Sequence, residues 1–145
     1  MARSILVVCV GNICRSPMAE VMLATALPDN RVSSAGLGAL VGEPAHPRSI
    51  ELMAERGINL DDHVARQLSE QMLREHDMVL TMEQAHSDYI SDNWPHARGR
   101  IFRWGHWDEI DVPDPYRRGE QAFIDALTLL DQGLEKWTDK LRQLG

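Results

Sequence analysis

Cysteine is scarce in this chain: Cys9 and Cys14 are the only two, five positions apart near the N-terminus. That excludes a disulfide framework and leaves catalysis, metal binding or redox chemistry as roles for a thiol. The six histidines show no paired metal-ligand spacing, so neither a metal nor any other cofactor is expected. Long hydrophobic runs are also missing. The apolar stretch Ile5–Val10 holds six residues, against roughly 20 for a bilayer span. Gly11, Asn12 and Arg15 end it without a cleavage site, so the expectations are no signal peptide, no membrane insertion and a cytoplasmic location. Positive charge is in deficit, with 15 Lys and Arg against 22 Asp and Glu. The resulting net charge of −7 argues against a nucleic-acid partner or an anionic membrane. Repeats, low-complexity segments and linkers are absent, and 145 residues suit one core. One domain over residues 1–145 is therefore expected, as a monomer or weak oligomer.

What is present alternates between strand and helix. Ser4–Cys9 is continuously apolar and β-branched, as in a strand buried on both faces of a parallel sheet. A loop, Val10–Arg15, follows, and Ser16-Pro17 is expected to open a helix with Ser16 at its N-cap. Further strands are predicted at Arg31–Ala35, Asp77–Met82 and Arg100–Trp104. Helices are predicted at Pro47–Arg56, Glu70–Glu75 and Glu83–Asp92, with a long final one at Gly119–Leu144. The final helix carries Phe123, Leu127, Leu130, Leu134, Trp137 and Leu141 at helical spacing and should dock on the sheet. The pattern implies an α/β fold with right-handed crossovers. Ligands in such sheets bind beyond the carboxyl ends of the strands, where the loop after the first strand lies.

That loop reads Cys9-Val-Gly-Asn-Ile-Cys-Arg15-Ser16. Between a strand end and a helix start it can curl into a cradle, with the backbone amides of Val10, Gly11, Asn12, Ile13 and Cys14 turned toward a tetrahedral anion. Gly11 is expected to adopt dihedrals that a side chain would forbid, and Asn12 tolerates left-handed geometry and can tie the loop internally. Arg15 offers a planar fork that matches two phosphate oxygens. A thiol beside a helix N-terminus and an arginine is favoured as the nucleophilic thiolate, and the Ser16 hydroxyl can donate to the sulfur.

Attack by Cys9 on a phosphate ester needs a proton for the leaving oxygen and a base for the water that follows. One carboxylic acid can serve both steps. Asp114, in Asp-Pro-Tyr on the long loop Gly105–Arg118, is the best candidate, with Asp111 the fallback and Asp108 a further rival. Pro113 and Pro115 stiffen the loop around Asp114, and Tyr116 can wall a slot in which an aromatic leaving group stacks. Cys14 is either loop packing or a resolving thiol that pairs with an oxidised Cys9.

The chain resembles the low-molecular-weight protein tyrosine phosphatases from end to end. The resemblance rests on Val8-Cys-Val-Gly-Asn-Ile-Cys-Arg-Ser-Pro17, Ser34-Ala-Gly36, His63-Val-Ala-Arg-Gln67 and Asp114-Pro-Tyr116. It implies a four-stranded parallel sheet with helices on both faces, flavodoxin-like in outline. It implies Cys9 as nucleophile, Arg15 as phosphate binder, Ser16 as thiolate stabiliser and Asp114 as acid. It also implies that Asn12, Ser34 and His63 brace the loop from beneath. Gly36–Gly42 and Phe102–Trp107 are similar to the bacterial subgroup encoded with capsule and exopolysaccharide tyrosine autokinases. The implied partner is a phosphotyrosine-bearing, membrane-associated kinase of that kind. Leu40 and Arg117 stand where eukaryotic members carry aromatic residues, so Leu40 and Tyr116 form a different substrate rim.

Two other functions compete. Arsenate reduction uses the same fold and anion loop but needs further cysteines to relay oxidation, and none follows Cys14. A non-catalytic phosphotyrosine-binding or redox-sensing module would lack the nucleophile or the acid, and both are present.

Overall fold

The computed structural model describes residues 3–144. The strands are β1 (Ser4–Cys9), β2 (Arg31–Gly36), β3 (Met78–Thr81) and β4 (Ile101–Arg103). The helices are α1 (Arg15–Ala26), α2 (Pro47–Ala54), α3 (Glu70–Glu75), α4 (Gln84–Asn93) and α5 (Glu120–Leu144). Short 3₁₀ turns lie at Pro95–Ala97 and His106–Asp108. All pairings are parallel and the sheet order is β2-β1-β3-β4.

Side-chain alternation along β1 divides the core in two. Ile5, Val7 and Cys9 face one cluster, filled by Met18, Met22 and Leu23 of α1 and by Phe123, Leu127, Leu130, Trp137 and Leu141 of α5. Leu6 and Val8 face the other, filled by Leu73 of α3, Ile90 of α4 and Val79. The α/β fold with helices on both faces is therefore as expected, and the apolar stripe of α5 is buried apart from a half-buried Leu134. Gly133 has a role that apolar spacing does not reveal. A Cβ there would overlap the Trp104 ring, so the glycine lets that buried indole sit against α5 and donate to the Leu130 carbonyl at 2.9 Å.

Several boundaries move. The helix expected to run to Arg56 stops at Ala54, and β3 and β4 are shorter than the apolar runs that contain them. The helix expected to start with Ser16 as N-cap starts instead at Arg15, with Cys14 as N-cap and no side-chain cap bond. The reason is chemical: the Ser16 hydroxyl points to Cys9 and Asn12 and is not free to cap its own helix.

The order β2-β1-β3 makes a switch point. The chain leaves β1 toward one side to build β2, then crosses to the other side to build β3. A crevice opens at the carboxyl ends of the strands where such a reversal occurs. Cys9 is the last residue of β1, at that crevice.

Candidate active site

The loop from Cys9 to Arg15 wraps a cavity of about 180 Å³. Cys9, Val10, Gly11, Ile13, Cys14 and Arg15 form its base, and Gly38, Leu40, Asp114 and Tyr116 form its walls. All of the expected cavity residues except Asn12 and Ser16 line it. Those two lie beneath the loop, fully buried, with side chains turned away from the opening. Asn12, not Gly11, takes the left-handed conformation, with φ of 59°. The expectation for Gly11 is thus corrected. A Cβ at Gly11 would meet only Ile13, at an ordinary 3.7 Å, and the loop's strain falls on Asn12, whose side chain is held at every polar atom.

Beneath the loop, Asn12, Ser34 and His63 come together in a hydrogen-bonded network. Ser16 Oγ lies 2.9 Å from Cys9 Sγ. Asn12 Nδ2 donates to Ser16 Oγ at 2.8 Å and to Ser34 Oγ at 3.0 Å. His63 Nε2 donates to the Asn12 carbonyl at 2.7 Å. Two further residues join it. The Arg66 backbone N–H donates to Asn12 Oδ1 at 3.0 Å, and Ser34 Oγ donates to Glu20 Oε1 at 2.5 Å.

Arg15 is 1 % exposed, and its Nη1 donates to Glu83 Oε2 at 2.5 Å and to the Val112 carbonyl at 2.8 Å. With Nη1 so committed, Nε and Nη2 remain as a fork toward the cavity. Glu83 is 68 positions from Arg15. Nothing local in the sequence pairs the two, and Glu83 otherwise reads as the start of a helix. It is in fact the N-cap of α4, in a capping box with His86. The Glu83 N–H donates to His86 Nδ1 at 3.2 Å, which requires a neutral imidazole at that nitrogen. Burial holds His86 below the ordinary histidine range, Arg15 lowers it further, and Glu83 opposes both.

Asp114 is the carboxylate that reaches the cavity. Its Oδ2 is 3.9 Å from Arg15 Nη2, and its Oδ1 accepts from the Tyr116 N–H at 3.0 Å. Its rivals are engaged elsewhere. Asp111 accepts from the Gln84 N–H at 3.0 Å and Arg103 Nη1 at 3.1 Å, and Asp108 pairs with Lys136. The Tyr116 ring stands edge-on to His46, with centroids 6.0 Å apart, and His46 in turn packs on Phe123. Burial pushes the Cys14 thiol up to about 12, with Asp114 and Cys9 adding to the effect and Arg15 opposing it. Cys14 is therefore a neutral thiol beside the nucleophile candidate and does not compete with it.

No group of His, Cys, Asp and Glu among the described residues is arranged to hold a metal ion, and no helix among them is long and apolar enough to cross a membrane. The arrangement can bind a tetrahedral dianion at the loop amides and Arg15, present a sulfur to it, and offer a carboxylic acid on the facing wall.

Comparison with known proteins agrees with this geometry. The chain is 46 % identical to the low molecular weight protein-tyrosine-phosphatase Wzb of Escherichia coli K12, over 97 % of each chain. It is 44 % identical to the probable low molecular weight protein-tyrosine-phosphatase EpsP of Ralstonia solanacearum, over the whole of both. Among solved structures, Wzb of Vibrio vulnificus in complex with benzylphosphonate superposes with a TM-score of 0.92 at 38 % identity, covering 97 % of this chain and 99 % of that one. Residues 4–144 match the low molecular weight phosphotyrosine protein phosphatase family, and the chain belongs to that family.

Proposed function

We propose that the protein hydrolyses phosphotyrosine in proteins through a phosphocysteine intermediate. The observation that carries this is the cavity whose base holds Cys9 and Arg15 and whose wall holds Asp114 and Tyr116. The phosphoryl group sits on the loop amides, with two oxygens on Arg15 Nε and Nη2. The Cys9 thiolate attacks phosphorus, the bond to the tyrosyl oxygen breaks, and Asp114 passes its proton to that oxygen. Water then attacks the phosphocysteine and gives its proton to Asp114. The sulfur leaves as thiolate, accepting from Ser16. Other residues support binding: Val10, Gly11, Ile13 and Cys14 through the loop backbone, Asn12, Ser34 and His63 by holding the loop's shape, and Leu40 and Tyr116 by enclosing the aromatic ring.

The benzylphosphonate bound by the Vibrio relative is an aromatic ring joined to a phosphonate, which supports an aryl phosphate as substrate here. The finer reading is a membrane-associated tyrosine autokinase of capsule or exopolysaccharide export as partner, met in the cytoplasm. Its support is the subgroup resemblance at Gly36–Gly42 and Phe102–Trp107, together with full-length likeness to Wzb and EpsP. A reducing compartment also suits a mechanism that needs Cys9 as a free thiol. The test is turnover of p-nitrophenyl phosphate and a phosphotyrosyl peptide in chelator by wild type and Cys9→Ser. Comparable rates in the two proteins would sink the proposal. For the partner, Asp114→Ala should retain a phosphorylated autokinase tail and release it to vanadate. Equal retention of its unphosphorylated form would reject that assignment.

A further inference from the structure

Glu20 lies on α1, half-buried, outside the cavity and on the far side of the loop from substrate. Its carboxylate accepts from Ser34 Oγ at 2.5 Å. It also lines a separate polar cavity of about 310 Å³ with Asp62, His63 and Arg66. The chemistry above gives it no part, yet a continuous line of hydrogen bonds runs from it through Ser34, Asn12 and Ser16 to Cys9 Sγ.

The direction of each bond follows from what each group can do. A carboxylate only accepts, so the single Ser34 proton goes to Glu20, and Ser34 Oγ presents a lone pair to Asn12. At the other end, the Arg66 backbone N–H only donates, so it meets Asn12 Oδ1. Both constraints turn the same atom, Asn12 Nδ2, toward the two serines. Ser16 Oγ then accepts from Asn12 and has one proton left, for which Cys9 Sγ is the partner at 2.9 Å.

A competing arrangement uses the same atoms. If the Asn12 amide turns over, its oxygen faces both serines and both hydroxyls donate to it. Ser16 then gives its proton to Asn12, and the sulfur loses its donor. The Arg66 N–H opposes this state from one end. With no acceptor for the Ser34 proton at the other end, the Arg66 N–H is the one constraint left on the amide.

We infer that Glu20 is a positioning residue: by taking the Ser34 proton it holds Asn12 as a donor and so aims the Ser16 hydroxyl at Cys9 Sγ. The proposal rests on Cys9 as nucleophile and Ser16 as its donor. It goes beyond them by assigning a distant carboxylate the task of setting the hydrogen-bond direction at the sulfur.

The test is the pH midpoint of Cys9 alkylation by iodoacetamide, read by mass spectrometry without turnover. Glu20→Ala is expected to move the midpoint up by about one pH unit, the size of one lost charge-assisted hydrogen bond. Glu20→Gln keeps an acceptor for Ser34 and should stay close to wild type. In a Ser34→Ala background, Glu20→Ala should add no further shift. Should the alanine variant fold poorly, Glu20→Leu repeats the measurement. An unchanged midpoint overturns the proposal. So does a downward shift, because Glu20 would then act only as a negative charge disfavouring the thiolate. A full shift that persists without Ser34 overturns it as well. A wild-type Cys9 that resists alkylation until alkaline pH would overturn the nucleophile assignment with it, whereas normal wild-type titration with unmoved variants overturns this proposal alone.

Discussion

The two sides of the cavity are held in different ways. The loop Cys9–Arg15 is tied from beneath, and all of its residues except exposed Val10 and half-buried Gly11 are buried. Asn12 is 0 % exposed and bonded through its amide, its oxygen and its carbonyl, and Arg15 is fixed through Nη1 by two acceptors. The facing segment that carries Asp114 is open. The Asp114 side chain is 45 % exposed, and around it only Val112 and Pro115 are buried. Val112 donates to the Met82 carbonyl at 2.9 Å and accepts from Arg15. The difference matches the tasks. A nucleophile and an anion cradle work when nothing has to reorganise during reaction. An acid that protonates a departing tyrosyl group, then serves water, must allow that group to enter and leave.

If the contrast is real, damage should rank by side. The largest loss is expected for Cys9→Ser, with turnover of an aryl phosphate falling on the order of 10⁵–10⁶-fold, the scale of removing a covalent nucleophile. Asp114→Ala comes next, at roughly 10²–10⁴-fold. Its effect should shrink as the leaving group improves, because a good leaving group needs no proton. A rate series over phenols of differing acidity checks this. An Asp111→Ala protein with the same leaving-group dependence would move the acid to Asp111. Its bonds to the Gln84 N–H and Arg103 argue against that.

Glu83 sharpens the comparison because it belongs to the rigid side through Arg15. Glu83→Ala leaves a buried guanidinium without its partner carboxylate and should cost about 3 kcal/mol, the lower end for breaking a buried pair, since Glu83 is itself partly exposed. Denaturant unfolding measures that. Phosphate affinity should fall with it, because Nη1 would then be free to rotate the fork. Glu83→Ala with wild-type stability and wild-type inhibition by phosphate would show that Val112 alone holds Arg15.

The sequence makes the front of the site plain and its back obscure. Cys9, Arg15 and Ser16 fall within eight residues, so their chemistry can be read from spacing alone, and Asp114 is marked by its flanking prolines and Tyr116. Strand and helix order is legible for the same reason: each element carries its own apolar period. Glu83, Glu20 and Arg66 are different. An isolated Glu reads as an ordinary surface charge until the fold brings it inward, as at Glu83 and Glu20, and Arg66, itself exposed, ties Asn12 through its backbone N–H, which no side-chain pattern marks. Ser16 shows the opposite error. Ser before Pro is a good helix start, but its hydroxyl has a stronger use at the sulfur.

The cap at α4 supplies a pH test of the same link. His86 is held low by burial and accepts a backbone N–H at Nδ1, so protonation must break that bond. The folded state therefore takes up this proton less readily than the unfolded chain. The stabilisation is fully present above about pH 6.5 and is lost as pH falls from there toward the folded-state value. A loss of about 1 kcal/mol is expected, the size of one helix cap. Unfolding free energies at pH 7.5, 6.5 and 5.5 should fall less in His86→Gln than in wild type. Equal slopes would assign the acid sensitivity to other groups.

The smallest effect is expected at Cys14, which shares the rigid loop with Cys9 and yet should be chemically silent. Burial, reinforced by Asp114 and Cys9, pushes its thiol up to about 12, so almost none is thiolate at pH 8. Iodoacetamide at that pH should label Cys9 and leave Cys14 unmodified. Cys14→Ala should change turnover by no more than about threefold, because the loop uses the backbone of this residue and not its sulfur. Labelling of both thiols at equal rates would mean that the loop opens in solution. The contrast between a fixed cradle and an open acid side would then fail at its firmer end.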